Sequence, residues 1–258
     1  MSVLIPSVSR ASGALSWRSA RPGAEAHGEL GKTLLALMRV GVRELEGRGR
    51  GLVATEPIAA GEEVLREPQP VCRAHLAQHL RELQEETALL VSMGYVEFWP
   101  HAVKDRRVAD ACRAAVEAAP AAQRSAFLEL EDAFASADGQ AGRFLTNNVQ
   151  LPDSGECAVY ALYSRINHSC ESNVRVDLGA DGALSVVALR DLQVGEEVLD
   201  NYLAEVHGKD ADGAVRLEMR RHLAERWRFE CACARCEREG PLPARPAADA
   251  GWAGFGHL

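Results

Sequence analysis

Three cysteines fall within six residues near the C-terminus, in "CACARC" (Cys231, Cys233 and Cys236). Thiolates at this spacing suit a structural zinc ion, which prefers four N or S ligands in a closed tetrahedron. The run supplies three, so the fourth must come from Cys72, Cys112, Cys157, Cys170 or a histidine. Cys72 and Cys112 fall within helical periodicity and read as core residues. Cys170 lies in "NHSCESN", too polar for an ordinary core segment, and is the favoured fourth ligand. A closed thiolate site has no open position for water, which excludes a zinc-dependent hydrolase. The chain has seven cysteines, an odd number, and no secretory signal. This argues against a disulfide scaffold and for a reducing compartment.

A second stretch with chemical potential is "GRGRGLVATEP", Gly47 to Pro57. Glycines at this density allow a backbone to approach a ligand closely. A dinucleotide loop would follow a strand and open a helix, whereas this one runs into a short strand closed by Pro57. Arginine in a tight loop is a good carboxylate clamp, so Arg48 and Arg50 point to an anionic ligand group. "AHGELGKT" (Ala26 to Thr33) fits a relaxed phosphate-loop pattern, but the stretch before it is polar and broken by Pro22, with no buried strand.

These residues need elements to hold them. "MRVGVREL", "GLVATEPI" and "EEVLREP" alternate as strands. "CRAHLAQHLRELQEETALLVSMG", "DRRVADACRAAVEAA" and "PAAQRSAFLELEDAFASAD" repeat apolar residues at three and four and read as amphipathic helices, with Pro120 in the first turn of the third. Strands return from Val149 in "CAVYALY", "NVRVDLG", "ALSVVALRDL" and "EEVLDNYL", with a hairpin turn at "GADG". "DGAVRLEMRRHLAERW" is a last helix leading into the cysteines. The order is strands, helical insertion, strands, helix and knuckle, which is α+β rather than alternating βα. "PIAAGEEVLRE" and "DLQVGEEVLDN" echo each other as shared turn chemistry, not as duplication.

"GRGRGL", "SRINHSCESNV" (164 to 174), "GEEVLDNY" (195 to 202) and "FECACARC" occur in that order. Together they resemble the SET-domain lysine methyltransferases, most of all the SET-and-MYND branch. The resemblance covers about residues 38 to 238. It implies a SET fold of small twisted β-sheets with a helical insertion at about 68–146 and a post-SET zinc knuckle. It divides the chain into a tail or targeting segment (1–37), the SET domain (38–202), a post-SET helix and cysteine cluster (203–239) and a flexible tail (240–258). The implied cofactors are S-adenosylmethionine and structural zinc, the latter on Cys170, Cys231, Cys233 and Cys236. The resemblance gives Arg48, Gly49, Arg50, Gly51 and Leu52 to the cofactor pocket, with Asn147, Asn167, His168, Tyr202 and Phe229. Tyr202 is also the implied tyrosine of methyl transfer. Trp227 stands where relatives commonly carry a second tyrosine, and Ser172 replaces the usual proline. Residues 66 to 100 hold one cysteine, so the MYND finger has no counterpart there. The implied activity is methylation of lysine in a protein or peptide, histone or other. The alternative is a catalytically inactive SET domain that serves as a binding module.

The 258-residue chain carries a formal net charge of -8, which disfavours sequence-specific nucleic-acid binding, and no apolar run reaches membrane-spanning length. A cytoplasmic or nuclear location is expected. The first 23 residues, with six serines, three arginines and no acid, allow organellar targeting as an alternative.

Overall fold

The computed structural model describes residues 39–94, 96–137, 139–152, 154–179, 181–203 and 213–243. The N-terminal segment, the phosphate-loop-like stretch within it and the tail from 244 onward lie outside the described residues.

The arginine–glycine stretch folds as a hairpin of β1 (Val40–Leu45) and β2 (Gly49–Ala54), closed by the pairing Leu45↔Gly49. Gly47 (φ 69°) and Gly49 (φ 67°) take left-handed conformations, so the turn itself demands these two glycines. Gly51 answers to a different constraint. A Cβ there would stand 2.5 Å from Leu45 Cδ1, 2.8 Å from Asn167 Nδ2 and 3.0 Å from Glu197 Oε1.

A three-stranded antiparallel sheet places β9 (Leu184–Ala188) between β3 (Glu63–Glu67) and β8 (Val174–Leu178). Every residue of β9 is buried, as expected of a strand covered on both faces. The "GADG" turn joins β8 to β9, with the Gly182 amide donating to the Gly179 carbonyl. A second sheet centres β6 (Cys157–Val159) between β4 (Cys72–Ala74) and β5 (Asn148–Gln150). The two echoing turns face each other, with Ile58 and Leu192 exchanging backbone hydrogen bonds. In each, the first glutamate accepts an amide three residues earlier: Glu62 from Ala59 and Glu196 from Gln193. Gly61 and Gly195 share a φ of 84°. The echo is turn chemistry, as expected.

Between β4 and β5 lies the helical insertion: α1 (Ala77–Ser92), α2 (Phe98–Lys104), α3 (Arg106–Ala118), α4 (Ala121–Leu128) and α5 (Ala141–Asn147). Leu80, Leu83, Trp99, Val108, Cys112, Val116, Phe127 and Phe144 form its core. Asp105 caps α3 by accepting the Arg107 and Val108 amides, satisfying two donors that a helix start leaves open. Three expectations need correcting. Cys72 is a core residue, but on a strand, because its backbone pairs with β6. The third expected helix is short and ends at Leu128. Pro120 is its N-cap, so it stands just before the first turn.

The C-terminal part adds α6 (Gly213–Arg226) and α7 (Ala234–Glu239). Between them Arg228 has φ 61°, the left-handed residue that turns a chain back after a helix. Met219 and Leu223 of α6 pack with Leu203, Cys170, Cys231 and Cys236 into a separate small core, against which Tyr202, Trp227 and Phe229 lie.

Candidate active site and metal centre

Two strands of two residues each hold the site together. β7 (Asn167–His168) runs parallel to β10 (Leu199–Asp200), although 30 residues separate them. Ser169 N–H donates to Asp200 O, and Asn173 N–H donates to Leu199 O. Asn173, buried, also donates through Nδ2 to Glu197 O (2.8 Å) and accepts Leu199 N–H on Oδ1 (2.8 Å). This amide, with both its donor and its acceptor used, fastens the turn that carries Ser172 to the Glu197–Leu199 segment.

The four cysteines singled out by sequence converge. Cys170, Cys231, Cys233 and Cys236 bring their sulfurs within 4.8 Å of one another. Cys170 Sγ lies 3.8 Å from Cys231 Sγ and 3.6 Å from Cys236 Sγ. Sulfurs about 2.3 Å from a tetrahedral zinc ion would be about 3.8 Å apart. All seven cysteines are free thiols, so the cluster is not a set of disulfides, and its spacing fits a metal cage. Arg216, buried on α6, donates to Cys236 Sγ (2.9 Å) and to Glu239 (3.0 Å), placing positive charge beside the thiolates that a metal needs. Hydrogen bonding from Cys170 pulls the Cys231 thiol well below its usual range. Burial instead pushes Cys72 up to about 12 and Cys157 up to about 11, which leaves them inert core thiols.

His168 joins this cluster to Tyr202. Its Nδ1 accepts the Tyr202 amide (3.2 Å), which puts the ring proton on Nε2, 3.3 Å from Cys170 Sγ. The ring is buried and packs 5.1 Å from Tyr202 and 6.1 Å from Phe229. The imidazole is therefore committed within the protein, and only the backbone of His168 is left for a cofactor. Its carbonyl accepts from Arg48 (2.9 Å).

Tyr202 donates its hydroxyl to Ile166 O (2.6 Å). Burial, with the Asp200 carboxylate nearby, pushes the phenol pKa up, so it stays protonated across the physiological range. Tyr163 donates to Asp200 Oδ2 (2.8 Å). Trp227 lies 5.1 Å from Tyr202, ring to ring, and its Nε1–H donates to Thr146 O (2.9 Å). Tyr202, Trp227, Phe229 and His168 thus form one aromatic group next to Asn167 and the arginine–glycine hairpin.

Around Gly51 the polar groups carry both signs. Glu197 accepts from Asn167 Nδ2 (2.9 Å) and pairs with Arg48 (3.4 Å). A zwitterionic amino-acid moiety requires such a set, a guanidinium for its carboxylate and a carboxylate for its ammonium. Other candidates stand elsewhere. Leu52 is fully buried in the sheet core with Val40 and Ile58, so its side chain shapes no ligand surface. Arg50 turns away to the insertion, donating to Glu129 O (2.7 Å) and Glu131 (3.0 Å). Asn147 commits its amide to Glu131 O and Arg143 O, tying the end of α5 to the preceding loop.

Sequence reasoning missed Glu197, Tyr163, Asp200 and Arg216. Glu197 was hidden in a turn motif whose twin, Glu63, spends its carboxylate on Arg66 and Ser185, away from the site. An arginine among apolar positions in the first turn of the helix that leads into the cysteine cluster is the signal that could have found Arg216.

The family model for the SET domain matches residues 49–203. Histone-lysine N-methyltransferase SET5 of Yarrowia lipolytica is 37% identical over 99 residues, covering 38% of this chain and 20% of that protein. The SET5 of Candida glabrata is 39% identical over 98 residues, 38% of this chain and 16% of the relative. Human histone-lysine N-methyltransferase SMYD3 is 31% identical over 94 residues, 36% of this chain and 20% of that protein. The matches thus span a fifth or less of these relatives. Among solved structures, CpSET8 from Cryptosporidium aligns at a TM-score of 0.33 and 15% identity, covering 63% of this chain and 56% of that one. No helix among the described residues is long and apolar enough to cross a membrane. With the family model covering most of the ordered motifs, the chain belongs to the SET-domain family.

Proposed function

We propose that the chain is an S-adenosylmethionine-dependent protein-lysine N-methyltransferase. The observation that carries this reading is the position of the Tyr202 hydroxyl. It is fixed on the Ile166 carbonyl, within an aromatic group and beside the polar set of Arg48, Asn167 and Glu197.

When bound, the cofactor supplies an electrophilic methyl group. Arg48 and Asn167, the His168 backbone and the Phe229 ring would hold it, with Gly49 and Gly51 letting the hairpin approach. The chain's own task is to present a neutral amine. A lysine of pKa about 10.4 requires on the order of 4 kcal/mol to be neutral at pH 7.4. Aromatic walls disfavour the charged form by excluding water. The Tyr202 oxygen accepts an N–H from the amine, which aims the nitrogen lone pair along the channel. Cys170, Cys231, Cys233 and Cys236 would hold zinc, and the small core they share with the wall residues Trp227 and Phe229 would then be fixed. Histone and other lysine-bearing proteins are the substrate class, in line with the names of the relatives.

The test is incubation of the purified chain with heavy-methyl cofactor and mixed nuclear and cytoplasmic proteins, followed by mass spectrometry. Heavy methyl on lysine supports the proposal. Cofactor binding without any labelled lysine favours the inactive binding module, for which Trp227 speaks: its one polar group is taken by Thr146.

A further inference from the structure

Behind Trp227 stands a cation held by rings. Arg226, the last residue of α6, sets its guanidinium carbon 4.4 Å from the Trp227 ring centroid and 4.6 Å from that of Trp99. His222, one turn earlier, meets both indoles edge-on, at 6.1 Å from Trp99 and 5.9 Å from Trp227. The guanidinium is thus a wedge between an indole of the helical insertion and an indole of the C-terminal segment.

Ordinary stability does not account for this wedge. The Nε of Arg226 is buried without a hydrogen-bond partner, and Nη2 makes one long contact, to Asn148 O at 3.5 Å. None of the ion pairs among the described residues includes Arg226. A buried cation with an unmet donor is unfavourable, and an apolar side chain of similar size would fill the gap at least as stably. Burial lowers its pKa only to about 10, so the charge persists at neutral pH. A guanidinium plane does one thing that an apolar chain cannot: it registers two aromatic faces against each other. Trp227 is then fixed at three points. Thr146 O holds its edge, Arg226 covers a face, and the Tyr202 ring lies against it, tilted by 45°.

We propose that Arg226, clamped between Trp99 and Trp227, is a positioning residue that sets the distance between Trp227 and the Tyr202 hydroxyl and so limits how many methyl groups the amine can carry. The inference rests on the methyltransferase reading given above. A rigid indole keeps the space beside the amine small, and the wild-type product is mainly monomethyl-lysine. A loosened indole makes room for further methyl groups.

The test compares the full chain with Arg226→Met, which keeps the length and removes the charged plane. Arg226→Lys is a third arm, in which a strongly hydrated point charge replaces the stacking fork. Each protein is given heavy-methyl S-adenosylmethionine and the same lysine substrate, and product masses are read. The expected result for Arg226→Met is a rise of fivefold or more in the ratio of di- to monomethyl product. Cofactor affinity and zinc content should remain within twofold of wild type, and Arg226→Lys should restore the wild-type ratio only in part. A second readout does not depend on methylation. Hydrogen exchange of the Trp227 indole N–H, protected by Thr146 O, should speed up tenfold or more in Arg226→Met. An unchanged product ratio together with unchanged indole exchange overturns the proposal. If wild type methylates nothing, the enzymatic reading fails, and indole exchange alone still decides whether Arg226 fixes Trp227. Should Arg226→Met fail to fold, Trp99→Phe, which shortens the outer slab, carries the same measurements, and no change in either one overturns the proposal.

Discussion

Glu67 offers a test of the scaffold under the site, with a definite sign. Its carboxylate is buried at the end of β3, where Oε1 accepts the Leu162 amide (3.0 Å) and the Tyr163 amide (2.8 Å). It thereby holds the short 3-10 turn Tyr163–Arg165 that leads into Asn167. Burial outweighs these hydrogen bonds and the charge of Arg165, and pushes the carboxyl up from 4.5 to about 7. A folded-state pKa above the unfolded value means that the native state prefers the proton. The stability it contributes is complete below pH 4.5 and is lost as pH rises through about 7. A shift of about 2.5 units corresponds to about 3 kcal/mol at most. Glu67→Gln keeps the accepting oxygen and cannot ionise. Wild type and variant should therefore be nearly equally stable near pH 4.5, and the variant should lead by 2 to 3 kcal/mol, to order of magnitude, at pH 8. Denaturant titrations of both proteins at several pH values measure this difference directly. Two stability curves that run parallel from pH 4.5 to 8 would refute the reasoning, because Glu67 would then titrate alike in the folded and unfolded chain.

The other predictions concern the site itself. Cys170→Ser should lose the single bound zinc and destabilise the C-terminal segment, because metal binding and folding are coupled; metal analysis with unchanged zinc removes Cys170 from the cage. Tyr202→Phe keeps the ring and should retain cofactor binding while methyl transfer falls about 30- to 1000-fold, the loss of roughly 2 to 4 kcal/mol of transition-state contact. Equal rates in the two proteins would make Tyr202 a structural wall. Gly51→Ala drives a methyl group against Leu45, Asn167 and Glu197 and should weaken cofactor affinity by titration calorimetry, with a stability loss of about 1 to 3 kcal/mol. The rate kcat/KM should rise about tenfold per pH unit from 6 to 9 as the neutral amine becomes available, and the raised phenol pKa of Tyr202 means no fall in that window. A plateau near pH 7 would instead reveal a titrating base on the chain.

Much of this was legible in the sequence because the chemistry-bearing residues are unusual for their surroundings. Cysteines in a polar turn, or three within six residues, have few packing explanations, and all four converge in space. Helical periodicity likewise found the insertion, since its apolar stripes face a single core. Short strands were harder. Cys72 and Ala74 read as helical because three residues are too few to show a period of two, and only their pairing with β6 makes them a strand. Arg48 and Arg50 read as equivalent two positions apart. Arg48, however, sits in the hairpin turn and reaches His168 O and Glu197, whereas Arg50, on β2, meets Glu129 and Glu131 of the insertion. The Leu52 side chain faces no ligand surface for a related reason: the hairpin face it occupies is covered by the sheet core.

What no local pattern carried is the dependence of one centre on the other. The His168 ring touches Cys170 with one nitrogen and the Tyr202 amide with the other, so the metal cage and the hydroxyl share a single rigid support. Asn173 fastens the same junction to Leu199 and Glu197, and Glu197 in turn orients Asn167 and Arg48. Losing the cage therefore unfastens more than the C-terminal helix. It frees an imidazole that fixes where the tyrosine backbone sits, and the aromatic walls Trp227 and Phe229 are packed against the same small core. A metal held by the four cysteines, with no open coordination position, would on the proposed reading bear on catalysis through geometry alone, by holding still the residues that align an amine.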